Sequence, residues 1–220
     1  TKVFTATVLA SLAVQKKLNL KENINSYYAF PFKNDIRLSF ESLANHTSGL
    51  PRLPENLDLS DEKNPYRNYG KAEIEKYLKN GLHIENVGKY DYSNLGAGLL
   101  GYTLGVSQKT SFQELLRKTV FAQYKMNDSY TSSANLNDRL VKGLDKDGKA
   151  VPNWDFDILF GAGGMLSTTE DLSKFVLAQF NAQNAELALT RNPTFTVNDQ
   201  MKIGLGWHSL KQKNSSEMFW

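Results

Sequence analysis

Residues 3–14, with the sequence VFTATVLASLAV, restrict the fold more than any other stretch of the chain. Apolar and small side chains recur nearly all round a helix of this sequence. A helix that is apolar on all sides has to be buried. The stretch is shorter than the roughly 18 apolar residues that suggest a membrane span, and it carries hydroxyl groups. We therefore predict a buried helix over residues 3–17, closed by the cations Lys16 and Lys17.

Further helices are predicted where apolar residues recur at helical spacing. A short helix in LSFESLAN runs into a turn, and residues 71–81 form an amphipathic helix. Small and apolar side chains follow helical spacing over residues 94–103. Ser111, with Glu114 three residues later, has the pattern of a capping box that starts another helix.

Turns are more frequent in the second half of the chain. Residues 122–160 are loop-rich, and the polar sequence DKDGK is suited to join a short hairpin. The glycine-rich residues 161–164 are expected to form a tight turn. Ser167 or Thr168 then caps a helix that runs to about Phe180.

Strand character is concentrated at the end of the chain, in MKIGLGWHSL and SSEMFW. We predict an α/β fold, with a helical portion over about residues 1–200 and the start of a sheet over about 201–220. The chain begins inside a helical pattern without a capping residue and ends on an apolar run. Because chain termini are usually polar and frayed, we expect a segment of a longer domain.

The composition excludes several classes of function. The net charge is +3, and the 26 Lys and Arg residues are scattered, so the basic stripe of a nucleic-acid-binding protein is absent. No cysteine is present, which excludes disulfides and cysteine–metal sites. No basic stretch precedes the apolar run, so this segment shows no signal peptide.

The stretch KYDYSNLGAGLLG permits two interpretations. Gly96, Gly98 and Gly101 have the spacing of a dinucleotide-binding turn, which needs a buried strand before it and an acidic residue about 20 positions later. The preceding residues are polar, and Glu114 comes too early. We therefore interpret the glycines as helix-packing residues and predict no cofactor. Taken alone, residues 92–94 indicate a strand end followed by an asparagine N-cap.

Five stretches in order resemble the class C β-lactamase and penicillin-binding-protein-like serine hydrolases. They are TKVFTATVLASLAVQKKLNL, LANHTSGLP, YSNLGAGLLG, GAGGMLSTTEDLSKF and IGLGW. The resemblance covers essentially the whole chain. It implies the α/β β-lactamase/transpeptidase-like fold, of which this chain would be mainly the helical region.

The resemblance also implies three catalytic residues, Lys2, Tyr92 and Asn94. The family's first motif is Ser-x-x-Lys at the start of a buried helix, so the nucleophilic serine is expected two residues before Thr1. The family's third motif, a His/Lys-Thr/Ser-Gly strand, is expected after SSEMFW. The serine needs a base, and Lys2 and Tyr92 are the two candidates. Asn94 would bind the substrate amide and the Lys2 ammonium group.

Motifs shared across the family leave the activity open among β-lactamase, D,D-peptidase, esterase and D-amino-acid amidase. The implied partner is a small-molecule or peptide substrate, in the periplasm or outside the cell. The alternative is a non-catalytic homologue that binds peptidoglycan or assembles with partners. His46 is interpreted as bracing the HTSGL turn, and His83 and His208 are isolated, so neither a triad histidine nor a metal site is predicted. The tyrosine-rich residues 66–77 are interpreted as surface packing, with a substrate cleft as the alternative.

Overall fold

Helix α1 (Lys2–Val14) is buried from Phe4 to Leu12, as its apolar sequence predicts. The computed structural model describes residues 1–61, 63–134, 136–214 and 216–220. The helix ends at Val14 and not at residue 17, because Lys16 adopts a φ of 58°, outside the helical region. No helix in the described part of the chain is long and apolar enough to cross a membrane.

Further helices follow α1 along the chain. They are α2 (Phe40–Ala44), α3 (Lys71–Lys76), α4 (Asn94–Ser107), α5 (Phe112–Leu116), α6 (Phe160–Gly163), α7 (Thr169–Gln179) and α8 (Ala185–Arg191). Short 3₁₀ helices occur at Ile24–Tyr27, Lys33–Asp35 and Asn137–Arg139, and π-helical turns at Tyr77–Gly81 and Arg117–Phe121. Helix α1 contacts α2, α4, α5, α6 and α8, so its position is set from several directions.

The strands form two antiparallel sheets. They are β1 (Gly143–Leu144), β2 (Ala150–Val151), β3 (Phe195–Asn198), β4 (Met201–Ile203), β5 (His208–Lys211) and β6 (Glu217–Phe219). Strands β1 and β2 are the predicted hairpin around DKDGK, and the second sheet has the order β3-β4-β5-β6. Strand β3 begins before the predicted start of the sheet, because the alternating residues of FTVN pair with β4. The predicted α/β fold, mainly helical over this chain, is confirmed.

Helices α4 and α6 approach closely because both have glycines at their contact. A Cβ on Gly161 would lie 2.7 Å from the Ala97 carbonyl oxygen and 3.1 Å from the Gly101 Cα. A Cβ on Gly98 would lie 2.6 Å from a side-chain carbon of Leu159. These glycines therefore serve helix packing, as their sequence context indicated.

Residues 161–164, where a tight turn was predicted, lie in and directly after the one-turn helix α6 (Phe160–Gly163), with Gly164 as its C-cap. The Gly164 N–H donates to the Phe160 carbonyl at 2.9 Å, which closes the turn in the i to i+4 manner of an α-helix. Thr168 then caps α7, because its hydroxyl accepts a hydrogen bond from the Asp171 N–H at 3.2 Å. The predicted cap and helix are confirmed.

Gly161→Ala is expected to lower the free energy of unfolding by about 1–3 kcal/mol, because the new methyl group meets backbone atoms that cannot move aside. Gly96→Ala in α4 is the matched control, since the nearest atom to its Cβ is the Ser93 hydroxyl oxygen at 3.3 Å and alanine favours the helix. Urea unfolding of the full-length protein measures both variants. Equal stabilities would contradict the close packing of α4 on α6.

Candidate active site

The Lys2 side chain joins three helices at one point. Its Nζ donates hydrogen bonds to the Asn94 Oδ1 at 2.8 Å and to the Ala162 carbonyl oxygen at 2.8 Å. Lys2 stands in the first turn of α1, Asn94 begins α4 and Ala162 belongs to α6. An ammonium group has three N–H donors, so these two bonds leave one for a neighbouring nucleophile or substrate.

The Tyr92 ring faces two cations. Lys2 Nζ lies 4.8 Å and the Arg52 guanidinium carbon 5.5 Å from the ring centroid. Cations within about 6 Å of an aromatic centroid are attracted to its negative face. The structure thus places Lys2, Tyr92 and Asn94, the three predicted site residues, together.

Tyr66 is a member of this site that sequence reasoning missed. Its hydroxyl accepts a hydrogen bond from the Asn94 Nδ2 at 3.3 Å, and the residue is 4% exposed. Burial raises the pKa of Tyr66, while the hydrogen bond from Asn94 and the charge of Arg52 act in the opposite direction. The signal in the sequence was an aromatic residue in a polar loop, which the interpretation of residues 66–77 assigned to surface packing, with a substrate cleft as the alternative.

Ser93, between Tyr92 and Asn94 in the sequence, has a structural role. It is the N-cap of α4, a role that the simpler interpretation of residues 92–94 gave to Asn94. Its hydroxyl accepts from the Gly96 N–H at 2.8 Å and donates to the Pro51 carbonyl at 2.7 Å. The Ser93 side chain is buried, and its only proton is engaged. Because Ser93 and not Asn94 caps the helix, the Asn94 side chain remains free to bind Lys2.

A cleft of about 460 Å³ adjoins the Lys2 acceptors. Asn94 and Ala162 form one side of it, and Tyr66, Trp154 and Phe156 line it with aromatic surface. The rings of Tyr66 and Phe156 are stacked, with centroids 4.5 Å apart and planes 18° apart. Trp154 is 53% exposed, so an apolar surface is available to a ligand beside the polar site.

Two histidines lie near the site without forming a triad. The His46 Nδ1 accepts a hydrogen bond from the Ser93 N–H at 3.2 Å. The His208 Nε2 is hydrogen-bonded to the Tyr90 hydroxyl at 2.7 Å. Within the described ranges, no group of three or more His, Asp or Glu side chains is arranged to hold a metal ion.

A family model described as Beta-lactamase matches residues 1–220. The chain belongs to the β-lactamase family. The predicted resemblance to class C β-lactamases and penicillin-binding-protein-like hydrolases is thereby confirmed.

Individual members of the β-lactamase family match this chain over most of its length. A β-lactamase of Providencia stuartii is 27% identical over 195 residues, which cover 86% of this chain and 47% of that protein. The β-lactamase-like protein 4 of Dictyostelium discoideum is 27% identical over 220 residues, covering 89% and 37% respectively. The chain thus spans half or less of the length of these relatives.

Among solved structures of the family, a β-lactamase/D-alanine carboxypeptidase from Pseudomonas syringae has the same fold. The TM-score is 0.81 at 23% identity, and the match covers 96% of this chain and 59% of that one.

Ser93→Ala is expected to lower the free energy of unfolding by about 1–2 kcal/mol, because it removes a buried helix cap. Ser93→Thr, which keeps a capping hydroxyl, is the control and should lose less. Chemical denaturation of the full-length protein measures both. A Ser93→Ala protein of unchanged stability that can no longer be acylated would instead identify Ser93 as a nucleophile.

Proposed function

We propose that the protein containing this chain is a serine hydrolase that acts through an acyl-enzyme. The observation that supports this most strongly is the Lys2 ammonium group, hydrogen-bonded to Asn94 and lying over the Tyr92 ring. The nucleophile would be a serine two residues before Thr1. One helical turn separates that position from Lys2, so both side chains would lie on the same face of the helix.

Each proton in the proposed reaction has an acceptor within this site. The serine Oγ attacks the substrate carbonyl carbon while its hydroxyl proton passes to the base, which is either Tyr92 as a phenolate or Lys2 as a neutral amine. The bond from carbonyl carbon to leaving group then breaks, and the same proton passes to the leaving nitrogen or oxygen. Water repeats the sequence on the serine ester and releases the acid. Asn94 orients both the substrate amide and Lys2.

The substrates we propose are β-lactams and D-Ala-D-Ala peptides, with related esters and amides as the wider class. The Pseudomonas syringae protein is described as both a β-lactamase and a D-alanine carboxypeptidase. Both reactions are acyl transfers to serine and need the same polar residues. A periplasmic or extracellular location, where such substrates occur, belongs to the same proposal.

Tyr92→Phe should slow acylation by at least about 10²-fold, the scale expected when a general base is lost. The reaction of full-length protein with a β-lactam, stopped at intervals and analysed by mass spectrometry, gives the rate. Tyr27→Phe is the control, because that hydroxyl donates to Glu22. An unchanged rate in Tyr92→Phe would leave Lys2 as the base.

The position of the adduct tests the nucleophile and the alternative function together. Peptide mapping of the acylated full-length protein should locate the acyl group on a serine two residues before Thr1. A residue other than serine at that position, with no adduct formed, would support the alternative of a non-catalytic homologue that binds peptidoglycan.

A further inference from the structure

The segment that carries Tyr92 has no regular secondary structure before α4 begins at Asn94. The backbone N–H groups of Asp91, Ser93 and Asn94 nevertheless bind to one turn, residues 46–52. The N–H of Asp91 donates to the His46 carbonyl at 2.8 Å, and the N–H of Asn94 to the Arg52 carbonyl at 3.0 Å. The turn therefore fixes the position of residues 90–94, which we call the catalytic segment.

Within this turn, His46 binds the residues directly before and after Tyr92. Its carbonyl holds Asp91, and its side-chain Nδ1 accepts the Ser93 N–H at 3.2 Å. The imidazole ring also packs on the Tyr92 ring, with centroids 4.8 Å apart. His46 is 2% exposed and has a φ of 61°, a left-handed conformation that favours only a few residue types.

The hydrogen bond from Ser93 requires a particular form of the imidazole. A ring nitrogen that accepts a hydrogen bond carries no proton, so Nδ1 is bare and the proton is on Nε2. The groups facing the ring are Lys2 from α1, Tyr90 and Tyr92 from the catalytic segment, and His208 from β5 at 6.4 Å. Burial lowers the pKa of His46 to about 3, and the charges of Lys2 and His208 act in the same direction.

We propose that His46 is a positioning residue of the active site: its neutral imidazole, through Ser93 and the face of Tyr92, sets the place of the Tyr92 hydroxyl relative to Lys2. The proposal rests on the hydrolase function proposed above. His46 does not itself exchange a proton with the substrate, because Nδ1 is occupied by the backbone. Its effect is on the geometry of the residues that do, and misplacement by about 1 Å can cost about 10²-fold in rate.

Two substitutions at His46 separate positioning from simple filling of the core. In His46→Asn, the side-chain oxygen can take the place of Nδ1, and asparagine tolerates the left-handed conformation. His46→Leu fills similar space but accepts no hydrogen bond. We expect the acylation rate constant to fall about 10²-fold in His46→Leu with KM little changed, and to recover to within about tenfold in His46→Asn. His83→Asn, at a histidine beside Glu55, is the control and should match the unchanged protein.

Spectra of the unchanged full-length protein and of its two Asn variants keep the proposal testable if His46→Leu does not fold. In ¹⁵N spectra, the His46 imidazole resonances are those of the unchanged protein that are lost in His46→Asn. They should show an unprotonated Nδ1 down to pH 4.5. In spectra of ¹³C-labelled tyrosine, His46→Asn should shift the Tyr92 ring, while His83→Asn should not. Titration of His46 near pH 6.5, an unmoved Tyr92 ring, or equal acylation by the Leu and Asn variants would each overturn the proposal. If the unchanged protein is not acylated at all, the hydrolase function fails, and the Tyr92 spectra still decide whether His46 positions that ring.

The neutral imidazole also predicts how stability depends on pH. Between pH 6.5, the ordinary value, and about 3, the unfolded chain binds a proton on His46 that the folded protein does not. Stability is therefore lost as the pH falls through this window and is fully present above it. Relative to His46→Asn, the folding constant should fall about tenfold for each pH unit below 6.5. Urea unfolding at pH 7.5 and 4.5 measures this, and a constant ratio between the two proteins would overturn the neutral form.

Discussion

The hydrogen bonds of the Lys2 ammonium group connect the buried helix α1 to the candidate active site. Lys2 lies in the first turn of a helix that is buried almost throughout. The positive end of the helix dipole is at that terminus, so a cation there is unfavourable by about 0.3–1 kcal/mol. The acceptors on α4 and α6 offset this cost. A residue placed against the local electrostatic preference, with two dedicated acceptors, fits the catalytic role proposed for Lys2.

The two acceptors of Lys2 are held by helix packing at glycines and by a helix cap. Ala162 offers a backbone oxygen, and its position follows from the approach of α6 to α4 through Gly161 and Gly101. Asn94 is held because the Ser93 cap begins α4 at that residue. Backbone geometry therefore determines most of the site, and the functional side chains occupy places that the packing has already set.

Local signals explain what the sequence could predict. The apolar run of α1, the Thr168 cap and the DKDGK turn each specify an element through nearby residues, and all three are found in the structure. Strand β3 was not predicted, because its apolar–polar alternation covers only 4 residues and its pairing with β4 completes the strand. The carbonyl of Ala162 was beyond prediction, since any residue could present it. Tyr66 was overlooked because its partner, Asn94, is far from it in sequence.

The glycines of KYDYSNLGAGLLG acquire a specific meaning from this arrangement. Their spacing imitates a nucleotide-binding turn, yet Gly98 and Gly101 lie inside α4 and face Leu159 and Gly161. A bulkier residue at either position would push α6 away from α4. The Ala162 oxygen would then move away from Lys2, while the Asn94 oxygen stayed in place. The same glycines that suggest a cofactor site in the sequence therefore keep both acceptors of Lys2, the proposed catalytic lysine, at 2.8 Å from its Nζ.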